Sequence, residues 1–319
     1  MLMKIIQITP AGIKSKSGNR TTANRWARLL RDLGHQVDTV TDYNGQSADM
    51  MVAIHAWRSA SAVSNFKHRF PDRPVILCLG GTDINQFIHS HPEATLKSMD
   101  LADALVGLHN LIGDITPLHL RPKLHVILQS ARPLARPRQP SKRRFNVSVI
   151  GHMRDVKDPM RAALAVRGVP KNSRLCVRHF GSAFDKQTLK NAQLEMKINP
   201  RYQWFGEVSG GRVRQELSRT QAIIISSKAE GGANVVSEAI VANVPVIASN
   251  IDGNIGLLGR RYSGYYKMGD EISLREILLR TENNPDFLDK LIRQLEMLAP
   301  KFTYQREQES WNRLIKKLS

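Results

Sequence analysis

Cysteines and long apolar runs are both scarce in this chain. Its two cysteines among 319 residues, Cys78 and Cys176, lie inside apolar segments. This excludes a disulfide framework and a cysteine-rich metal site, and it fits a reducing cytosol. No apolar run approaches the roughly 18 residues of a membrane-spanning helix. Because Pro10 and a polar loop follow the short apolar start, no secretory signal is expected, and we expect a cytoplasmic protein without stable membrane insertion.

Several motifs of cofactor binding and catalysis are also missing. No glycine loop ends in Gly-Lys-Ser or Gly-Lys-Thr, and no Gly-x-Gly-x-x-Gly spacing occurs, so neither a P-loop nor a dinucleotide fingerprint is present. The 10 histidines form no H-x-x-x-H or H-E-x-x-H pair, which argues against a zinc site. A Gly-x-Ser-x-Gly nucleophile elbow is absent as well. The sequence therefore predicts no zinc site and no dinucleotide cofactor.

Acidic residues are outnumbered by basic ones. The chain has 47 Lys and Arg against 28 Asp and Glu, a formal net charge of +19, which should attract nucleic acid, phosphates or an acidic membrane surface. A nucleic-acid-binding face would interleave basic residues with exposed aromatics. Here the basic residues are scattered and aromatics make up 6%, so nucleic acid is not expected as a partner. Trp26 and Leu29 lie among arginines, which leaves weak membrane association open.

Short apolar runs alternate with amphipathic stretches along the chain. Helical spacing of apolar residues predicts helices over Asn19–Leu33 and over the tail, Thr303–Ser319. The predicted strands are Lys4–Thr9, Val37–Thr41, Met51–Ile54, Val75–Leu79, Ala104–Leu108, His125–Gln129, Asn146–Ile150, Leu175–Phe180, Tyr202–Phe205, Ala222–Ser226 and Val244–Ala248. This alternation predicts an α/β protein with mostly parallel, doubly wound Rossmann-like sheets and helices on both faces.

A basic, proline-rich stretch divides this pattern into two. Residues 130–144 read SARPLARPRQPSKRR, which we interpret as a solvated interdomain linker rather than a binding segment. The predicted domains are residues 1–137 and 142–302, each long enough to bury its own core. Ligands of doubly wound sheets bind at the carboxyl ends of the strands, so the cleft between the domains is the expected site.

The glycine-rich segment after the strand Ala222–Ser226 is the most informative part of the sequence. Gly231 and Gly232 would let the backbone approach a ligand closely, and the amides after them lie near a helix N-terminus, where the dipole favours an anion. Flanking carboxylates could accept hydrogen bonds from sugar hydroxyls. The candidate binding residues are Glu230, Gly231, Gly232, Ala233, Asn234, Val235 and Glu238. The alternative is an ordinary strand-to-helix turn with two surface glutamates.

A second candidate follows the strand Asn146–Ile150. Arg154 and Lys157 are three residues apart and could clamp a diphosphate and neutralise its charge as it leaves. His152 could line the same site, and Gly181 could let the backbone approach a nucleotide. The alternative is a pair of exposed basic residues at a helix start, with plain turns at the other two positions.

The remaining candidates follow strands of the first predicted domain. The loop before the first helix could present backbone amides to an anion, and a His or Asp at a strand end could orient or deprotonate a nucleophile. These candidate residues are Gly18, Asn19, Arg20, His55, Arg58, Thr82, Asp83, Gln129 and Ser130. A purely structural role is the alternative for each, since a lone His is more often a satisfied structural residue.

Together these segments resemble a known enzyme family. Residues Glu230–Glu238, with Pro245-Val-Ile after them, resemble the E-x7-E region of family-4 glycosyltransferases, which have the GT-B fold. Arg154 and Lys157 resemble the basic diphosphate clamp of that family, whose commoner spacing is longer. In GT-B enzymes the tail helix, here residues 303–319, crosses back onto the first domain.

The resemblance is closer still to the SenB-type selenosugar synthases of selenoneine biosynthesis. It is carried by the stretches ITPAGIKSKSGNRTTANRWARLLRDLGH, IHAWRSA, GGTDIN, LQSARP, IGHMRDVKDP and EGGANVVSEAIVANVPVIASNIDGNIGLLG, which span nearly the whole chain. Two positions depart from the pattern. A bulkier residue or Thr is expected where Gly80 stands, and such transferases usually carry Gly where this chain has Asn243.

The resemblance implies a reaction and a role for the candidate residues. The donor would be a UDP-sugar, with N-acetylglucosamine as the expected sugar, and the nucleophile would be selenophosphate, giving a selenosugar with a carbon–selenium bond. Glu230 would bind sugar hydroxyls, Glu238 the ribose, and the glycine segment the sugar and diphosphate. Arg154 and Lys157 would hold the departing diphosphate, so that no metal is needed.

The acceptor side follows from the charge of this nucleophile. Selenophosphate is already anionic, so it needs a cationic pocket in the first domain rather than a strong base. The expected pocket residues are Gly18, Asn19, Arg20, Arg58, Thr82 and Asp83, of which Arg20 and Asp83 would act with Arg154 and Lys157 in catalysis. The alternative function is an O-glycosyltransferase of the same fold, with a UDP-sugar donor and an alcohol acceptor.

Overall fold

A computed structural model describes residues 2–15 and 17–319 of the chain. The strands are β1 (Lys4–Ile8), β2 (Gln36–Val40), β3 (Met50–Ile54), β4 (Val75–Cys78), β5 (Ala104–Gly107), β6 (Leu124–Val126), β7 (Phe145–Ile150), β8 (Leu175–Phe180), β9 (Tyr202–Trp204), β10 (Ala222–Ile225), β11 (Val246–Ser249) and β12 (Tyr265–Tyr266). Every strand predicted from the sequence overlaps one of these. The two-residue strand β12 is additional.

Helices lie between most of the strands. They are α1 (Gly18–Asp32), α2 (Ala60–Arg69), α3 (Ile88–Ser90), α4 (Pro92–Leu101), α5 (Ile112–Ile115), α6 (Arg161–Arg167), α7 (Lys186–Ile198), α8 (Gly210–Arg219), α9 (Asn234–Val241), α10 (Asp252–Leu258), α11 (Glu271–Asn283), α12 (Pro285–Leu298) and α13 (Tyr304–Leu318). A π-helical turn spans Asp83–Phe87, and a 3₁₀ turn spans Asp155–Lys157.

The chain divides into two compact units that are not consecutive in sequence. Unit 1 is Met1–Ser130, Glu230–Asn234 and Tyr304–Ser319, and unit 2 is Ala131–Ala229 and Val235–Thr303. Unit 1 thus holds the C-terminal helix α13 and the glycine segment Glu230–Asn234. The sequence-based boundary at residue 137 falls inside unit 2.

Each unit is built on a six-stranded parallel sheet, which confirms the predicted α/β class. The strand orders are β2-β1-β3-β4-β5-β6 and β12-β11-β10-β7-β8-β9. Parallel sheets are covered by helices on both faces, and strands such as β3 and β10 are accordingly buried along their whole length. In each sheet the order of the strands reverses at one strand, β1 or β7, because the strands that follow it in the chain lie on both of its sides. Ligands bind at the carboxyl ends of such switch points.

The sheet of unit 1 has an apolar core on each face. Side chains alternate along β1, so Ile5 packs into the core under α1 and α13, whereas Ile6 packs into the other core under α2 and α4. Trp26 of α1 meets Trp311 of α13 edge to face, with ring centroids 4.8 Å apart. The tail helix therefore completes one of the two cores of unit 1.

The segment predicted to be a solvated linker belongs to unit 2 from Ala131 onward, and most of its residues are exposed. The Arg138 guanidinium donates to the carbonyl oxygens of Asn243 at 2.6 Å and Thr220 at 2.7 Å, and the backbone N–H of Gln139 donates to Ser218 O at 2.7 Å. Burial lowers the pKa of Arg138 to about 10. Arg138 thus has a structural role, because its guanidinium bonds to two backbone carbonyl groups of unit 2.

Asn243 explains one of the departures noted in the sequence. Its φ is 53°, the left-handed conformation that ends many helices and that glycine adopts most readily. Asparagine tolerates this region better than other side chains, and here its Nδ2 also donates to Glu296 Oε1 at 2.9 Å. The substitution of Gly by Asn is therefore accommodated after α9.

We expect Trp311→Ala to lower the free energy of unfolding by about 3–5 kcal/mol, because it opens a large cavity beside Trp26. Trp311→Phe should cost less, since the ring is kept and the buried Nε1, which has no hydrogen-bond partner among the described residues, is removed. Urea unfolding of the variants measures this. Met297→Ala, at a side chain that is 78% exposed, serves as the control and should stay within about 0.5 kcal/mol of wild type. Equal losses for Ala and Phe at position 311 would contradict this account.

Candidate functional site

The loop between β1 and α1 ends at a capped helix start with a buried cation. The Ser17 side chain accepts a hydrogen bond from the Arg20 backbone N–H at 3.5 Å, and Gly18, Asn19 and Arg20 form the first turn of α1. The Arg20 side chain is buried, with 9% of the residue exposed. Its Nε finds no hydrogen-bond partner among residues 2–15 and 17–319. A buried, incompletely paired guanidinium at the positive end of a helix favours an anion.

Three residues predicted from two separate loops come into direct contact in unit 1. His55 follows β3, and Thr82 and Asp83 follow β4. His55 Nδ1 forms an ion-pair contact with Asp83 Oδ1, and His55 Nε2 lies 3.0 Å from Thr82 Oγ1. The Arg58 backbone N–H donates to the same His55 Nδ1 at 3.2 Å, so both ring nitrogens have polar neighbours. An imidazole oriented in this way by a carboxylate can act as a general base.

The backbone around this group is held in unusual conformations. His55 has a φ of 81°, a left-handed conformation that costs a non-glycine residue roughly 1–3 kcal/mol and concentrates at functional sites. Asp83 is fully buried, and its Oδ2 accepts from the backbone N–H groups of Gly80 at 2.6 Å and Ala56 at 2.9 Å. It also begins the π-helical turn, a feature common at functional sites. These contacts fix the carboxylate that orients His55.

The side chain of Arg58 does not join this contact group, although its backbone N–H bonds to His55. Its side chain is exposed, and its guanidinium carbon lies 5.8 Å from the centroid of the Trp57 ring. Trp57 in turn stacks on Phe87 with ring centroids 4.1 Å apart. The pairing of Arg58 with Arg20 in one cationic pocket thus stays a prediction.

The glycine segment makes close backbone contacts inside unit 1. A Cβ at Gly231 would lie 2.2 Å from Gly81 N, and one at Gly232 would lie 2.4 Å from Leu108 Cβ. Gly232 also has a φ of 126°. A Cβ at Gly18 would lie 3.8 Å from Asn234 Nδ2, so the helix start of α1 and the end of the glycine segment are neighbours. The structure therefore brings these two predicted regions together.

Gln129 and Ser130 are buried and already engaged. Ser130 donates from both its N–H, at 2.8 Å, and its hydroxyl to Glu307 Oε2. With its amide oriented so that both ends are paired, Gln129 donates to Gly232 O at 3.2 Å and Asn234 Oδ1 at 3.0 Å. Both residues thus hold protein segments in place, and direct contact with a substrate stays a prediction.

In unit 2 the loops after β7 and β10 lie side by side at the switch point. Arg154 precedes the 3₁₀ turn that Lys157 ends, and the Lys157 N–H donates to Arg154 O at 2.8 Å. Across the loops, Lys228 N donates to Val156 O at 2.8 Å, and Ser226 Oγ donates to Lys157 O at 2.8 Å. The predicted basic clamp and the residues that directly follow β10 are therefore adjacent within unit 2. Lys228 is an exposed third cation on these loops. The sequence analysis did not name it, because only the folded structure shows that it lies beside the loop after β7.

His152 and Gly181 also meet in unit 2. Ser182 donates to His152 Nδ1 from its hydroxyl at 2.7 Å and from its N–H at 3.2 Å, so the neutral ring carries its proton on Nε2. A Cβ at Gly181 would lie 1.9 Å from Gly151 O, which explains why this position is glycine. The close approach joins the ends of β7 and β8.

The last two predicted residues lie in α9. Val235 and Glu238 occupy its first turns and belong to unit 2, whereas the buried Glu230 belongs to unit 1. Among residues 2–15 and 17–319, no group of three or more His, Cys, Asp or Glu side chains is arranged to hold a metal ion. In the same part of the chain, no helix combines the length and the apolar character needed to cross a bilayer.

Two residues that carry much of the contact network were not predicted. Arg25 on α1 and Glu307 on α13 form a buried ion pair, with Arg25 Nε 3.2 Å from Glu307 Oε1. Each sits in a charged, amphipathic helix, where a single charge is expected to face solvent. The one available signal was that both lie beside the core positions Trp26 and Trp311.

Comparison with known proteins gives consistent matches. The family model described as Glycosyl transferases group 1 matches residues 132–296. Glycosyltransferase 1 domain-containing protein 1 of Xenopus tropicalis is 21% identical over 292 residues, which cover 82% of this chain and 83% of the relative. HepE of Anabaena, solved in complex with UDP and glucose, aligns with a TM-score of 0.79 at 13% identity over 99% of this chain and 100% of its own.

A second solved structure agrees. Sucrose-phosphate synthase of Thermosynechococcus elongatus aligns with a TM-score of 0.76 at 13% identity, covering 98% of each chain. At such identities the likeness to solved structures establishes the fold, and the chemistry has to be argued from this chain's own residues.

The buried His179 beside this site predicts a pH-dependent stability. Burial lowers the pKa of His179 to about 4, below its ordinary value of 6.5, although the ring contacts Gly151 O and Tyr202 Oη. Between these values the unfolded chain binds a proton that the folded protein does not, so the free energy of unfolding falls with falling pH, by up to about 3 kcal/mol.

Urea unfolding at pH 7 and at pH 4.5 measures this for wild type and for His179→Gln, which lacks the titrating ring. The wild type should lose more stability than the variant on acidification, because the other titrating groups are common to both. A difference between the two proteins that is the same at both pH values would contradict a buried neutral His179.

Proposed function

The chain belongs to the glycosyl transferases group 1 family, and from this premise we propose that it transfers a sugar from a UDP-sugar to selenophosphate. It is a glycosyltransferase of the GT-B type, with two Rossmann-like parallel sheets. N-acetylglucosamine is the proposed sugar, and the product is a selenosugar with a carbon–selenium bond, an intermediate for selenoneine. The finer assignment rests on the resemblance of the SGNR and HAWRSA stretches and on the character of the acceptor side.

One observation carries the anionic acceptor: the buried Arg20 at the start of α1. An N–H group of a buried guanidinium that lacks a partner is costly, and a small phosphate-like anion would supply one. The backbone N–H groups of the first turn and the helix dipole add to this preference. Since the loop lies at the carboxyl end of β1, the switch strand of the first sheet, it is also where the fold favours a ligand.

The donor is proposed to bind at the switch point of unit 2. HepE, whose fold this chain shares, was solved with UDP. Here Arg154, Lys157 and Lys228 lie on the adjacent loops after β7 and β10, and the chain continues from Lys228 to the start of α9 at Asn234. These cations and the helix dipole would stabilise the charge that develops on the departing UDP, and so the reaction is proposed to need no metal ion.

The bond changes follow from these charges. The selenium of selenophosphate donates an electron pair to the anomeric carbon and forms the carbon–selenium bond. The bond from that carbon to the β-phosphate oxygen breaks, and its electron pair leaves with UDP. The phosphoryl group stays on selenium until water cleaves the selenium–phosphorus bond and releases phosphate, which gives the selenosugar. Because the nucleophile is already anionic, no proton has to be removed from it.

A second candidate function is favoured by the contact group of His55, Thr82 and Asp83. An alcohol acceptor has to lose a proton as it attacks, and a carboxylate-oriented imidazole supplies the base for this. This observation supports an O-glycosyltransferase with a UDP-sugar donor. The two candidates differ in whether His55 is needed.

A product assay by mass spectrometry decides between them. Purified protein is incubated with UDP-N-acetylglucosamine and fresh selenophosphate, with and without EDTA. The expected result is a selenium isotope pattern on an N-acetylhexosamine, equimolar UDP release, and the same rate in EDTA. Release of UDP into an alcohol glycoside without selenium would establish the second candidate, and no UDP release from any of several UDP-sugars would overturn both.

Arg20→Gln should raise the KM for selenophosphate by about tenfold or more, the cost of losing a charge-assisted hydrogen bond, and leave the KM for the donor unchanged. The exposed Arg58→Gln is the charge-matched comparison and should have a smaller effect. In the same kinetics His55→Asn should retain most of kcat with selenophosphate. An unchanged selenophosphate KM in a folded Arg20→Gln protein removes the anion-site assignment.

A further inference from the structure

The end of the glycine segment is held by an arginine and a glutamine of unit 1. Asn234 is the last residue of the segment Glu230–Asn234 and the first of α9. Its side-chain Oδ1 accepts a hydrogen bond from Arg25 Nη1 at 2.8 Å and one from Gln129 Nε2 at 3.0 Å. The backbone of the segment is held as well, since Gln129 Nε2 also reaches Gly232 O at 3.2 Å. Two side chains of unit 1 therefore hold the segment at Gly232 and at Asn234.

Arg25 uses each nitrogen of its guanidinium in this arrangement. Nη1 donates to Asn234, Nη2 donates to Gln129 Oε1 at 2.7 Å, and Nε donates to Glu307 Oε1 at 3.2 Å. The planar fork of arginine can serve three separate acceptors with fixed geometry, whereas the point charge of lysine cannot. With 16% of its side chain exposed, Arg25 is held between these partners.

Glu307 anchors Arg25 because its own position is fixed. Oε1 also accepts from Trp26 Nε1 at 2.7 Å, and Oε2 accepts from the Ser130 N–H at 2.8 Å and from the Ser130 hydroxyl. The Glu307 side chain is completely buried. A carboxylate with this many donors has a fixed position. The hydrogen bond from Arg25 to Glu307 therefore also fixes Arg25, and with it Asn234.

We infer that Arg25 is a positioning residue for donor binding: it holds Asn234, and with it the glycine turn Gly231–Asn234, in the conformation that receives the sugar diphosphate. This rests on the proposed function, together with the family resemblance, which implies that the glycine segment binds the sugar and diphosphate of the donor. Arg25 acts through Asn234 and not on the reacting atoms. Without Arg25 the turn would become ordered only when the donor binds. The conformational entropy lost at that step would weaken the affinity for the donor.

The test is calorimetric titration of the full chain with UDP, together with donor kinetics. Arg25→Gln and Asn234→Ala should each raise the Kd for UDP and the donor KM by about tenfold, as for residues that orient a ligand-binding group. The double variant should bind UDP no more weakly than either single variant, because both substitutions remove the same hydrogen bond. The acceptor KM should stay at the wild-type value, and Arg25→Lys should not restore affinity.

Arg28→Gln is the matched control. Arg28 lies one turn further along α1 and pairs with Asp32 at the surface, so the variant loses the same charge from the same helix and should keep wild-type affinity. Asn234→Ala guards against misfolding, since it removes the contact without leaving the buried Glu307 unpaired. A UDP affinity within twofold of wild type in folded Arg25→Gln and Asn234→Ala, or additive effects in the double variant, would overturn the inference.

Hydrogen exchange of the unliganded protein separates this inference from the proposed function. Arg25→Gln should speed amide exchange in Gly231–Asn234 by about tenfold, whereas Arg28→Gln should leave the exchange rate of these amides at the wild-type value. If wild type gives no heat with UDP, the proposed donor is wrong, and donor positioning falls with it. If wild type binds UDP but exchange in the turn does not respond to Arg25→Gln, the proposed function stands and Arg25 is not a positioning residue.

Discussion

A buried carboxylate on the last helix is the interaction on which unit 1 depends. Glu307 accepts hydrogen bonds from Arg25 and Trp26 of α1 and from Ser130 after β6, and Arg25 continues to Asn234. Removing any donor would leave part of a buried charge unpaired, which is costly. Segments near residues 25, 130, 234 and 307 are thereby fixed to one another. Unit 1 is for this reason an assembly of three stretches of chain and not a block of consecutive residues.

Parallel topology explains why cations and helix starts gather where they do. In a βα unit the helix starts where the strand ends, so every positive helix terminus points to the carboxyl edge of its sheet. At the switch strands β1 and β7 this edge carries Arg20 in unit 1, and Arg154 and Lys157 in unit 2. Most of the basic residues behind the net charge of +19 are therefore not required for anion binding. A few side chains beside helix termini suffice to select anions.

The sequence predicted elements that local patterns determine and missed those that distant contacts determine. The helix α1 and the strands follow from apolar periodicity and length, which each segment carries by itself. The π-helical turn at Asp83 does not, because it depends on hydrogen bonds to Gly80 and Ala56. Arg25 and Glu307 were not singled out, since periodicity cannot show that two charges on different helices are buried together.

The glycine segment shows how a motif can be identified correctly and explained incompletely. Gly231 and Gly232 were expected to make room for a ligand, yet a Cβ at either position would first strike Gly81 or Leu108 of unit 1. These contacts alone would require glycine. The motif is therefore weak evidence for a ligand, and stronger evidence comes from the buried Arg20 Nε that lacks a partner among the described residues. Contacts within unit 1 already explain the two glycines, whereas a buried guanidinium N–H without a partner favours an anion.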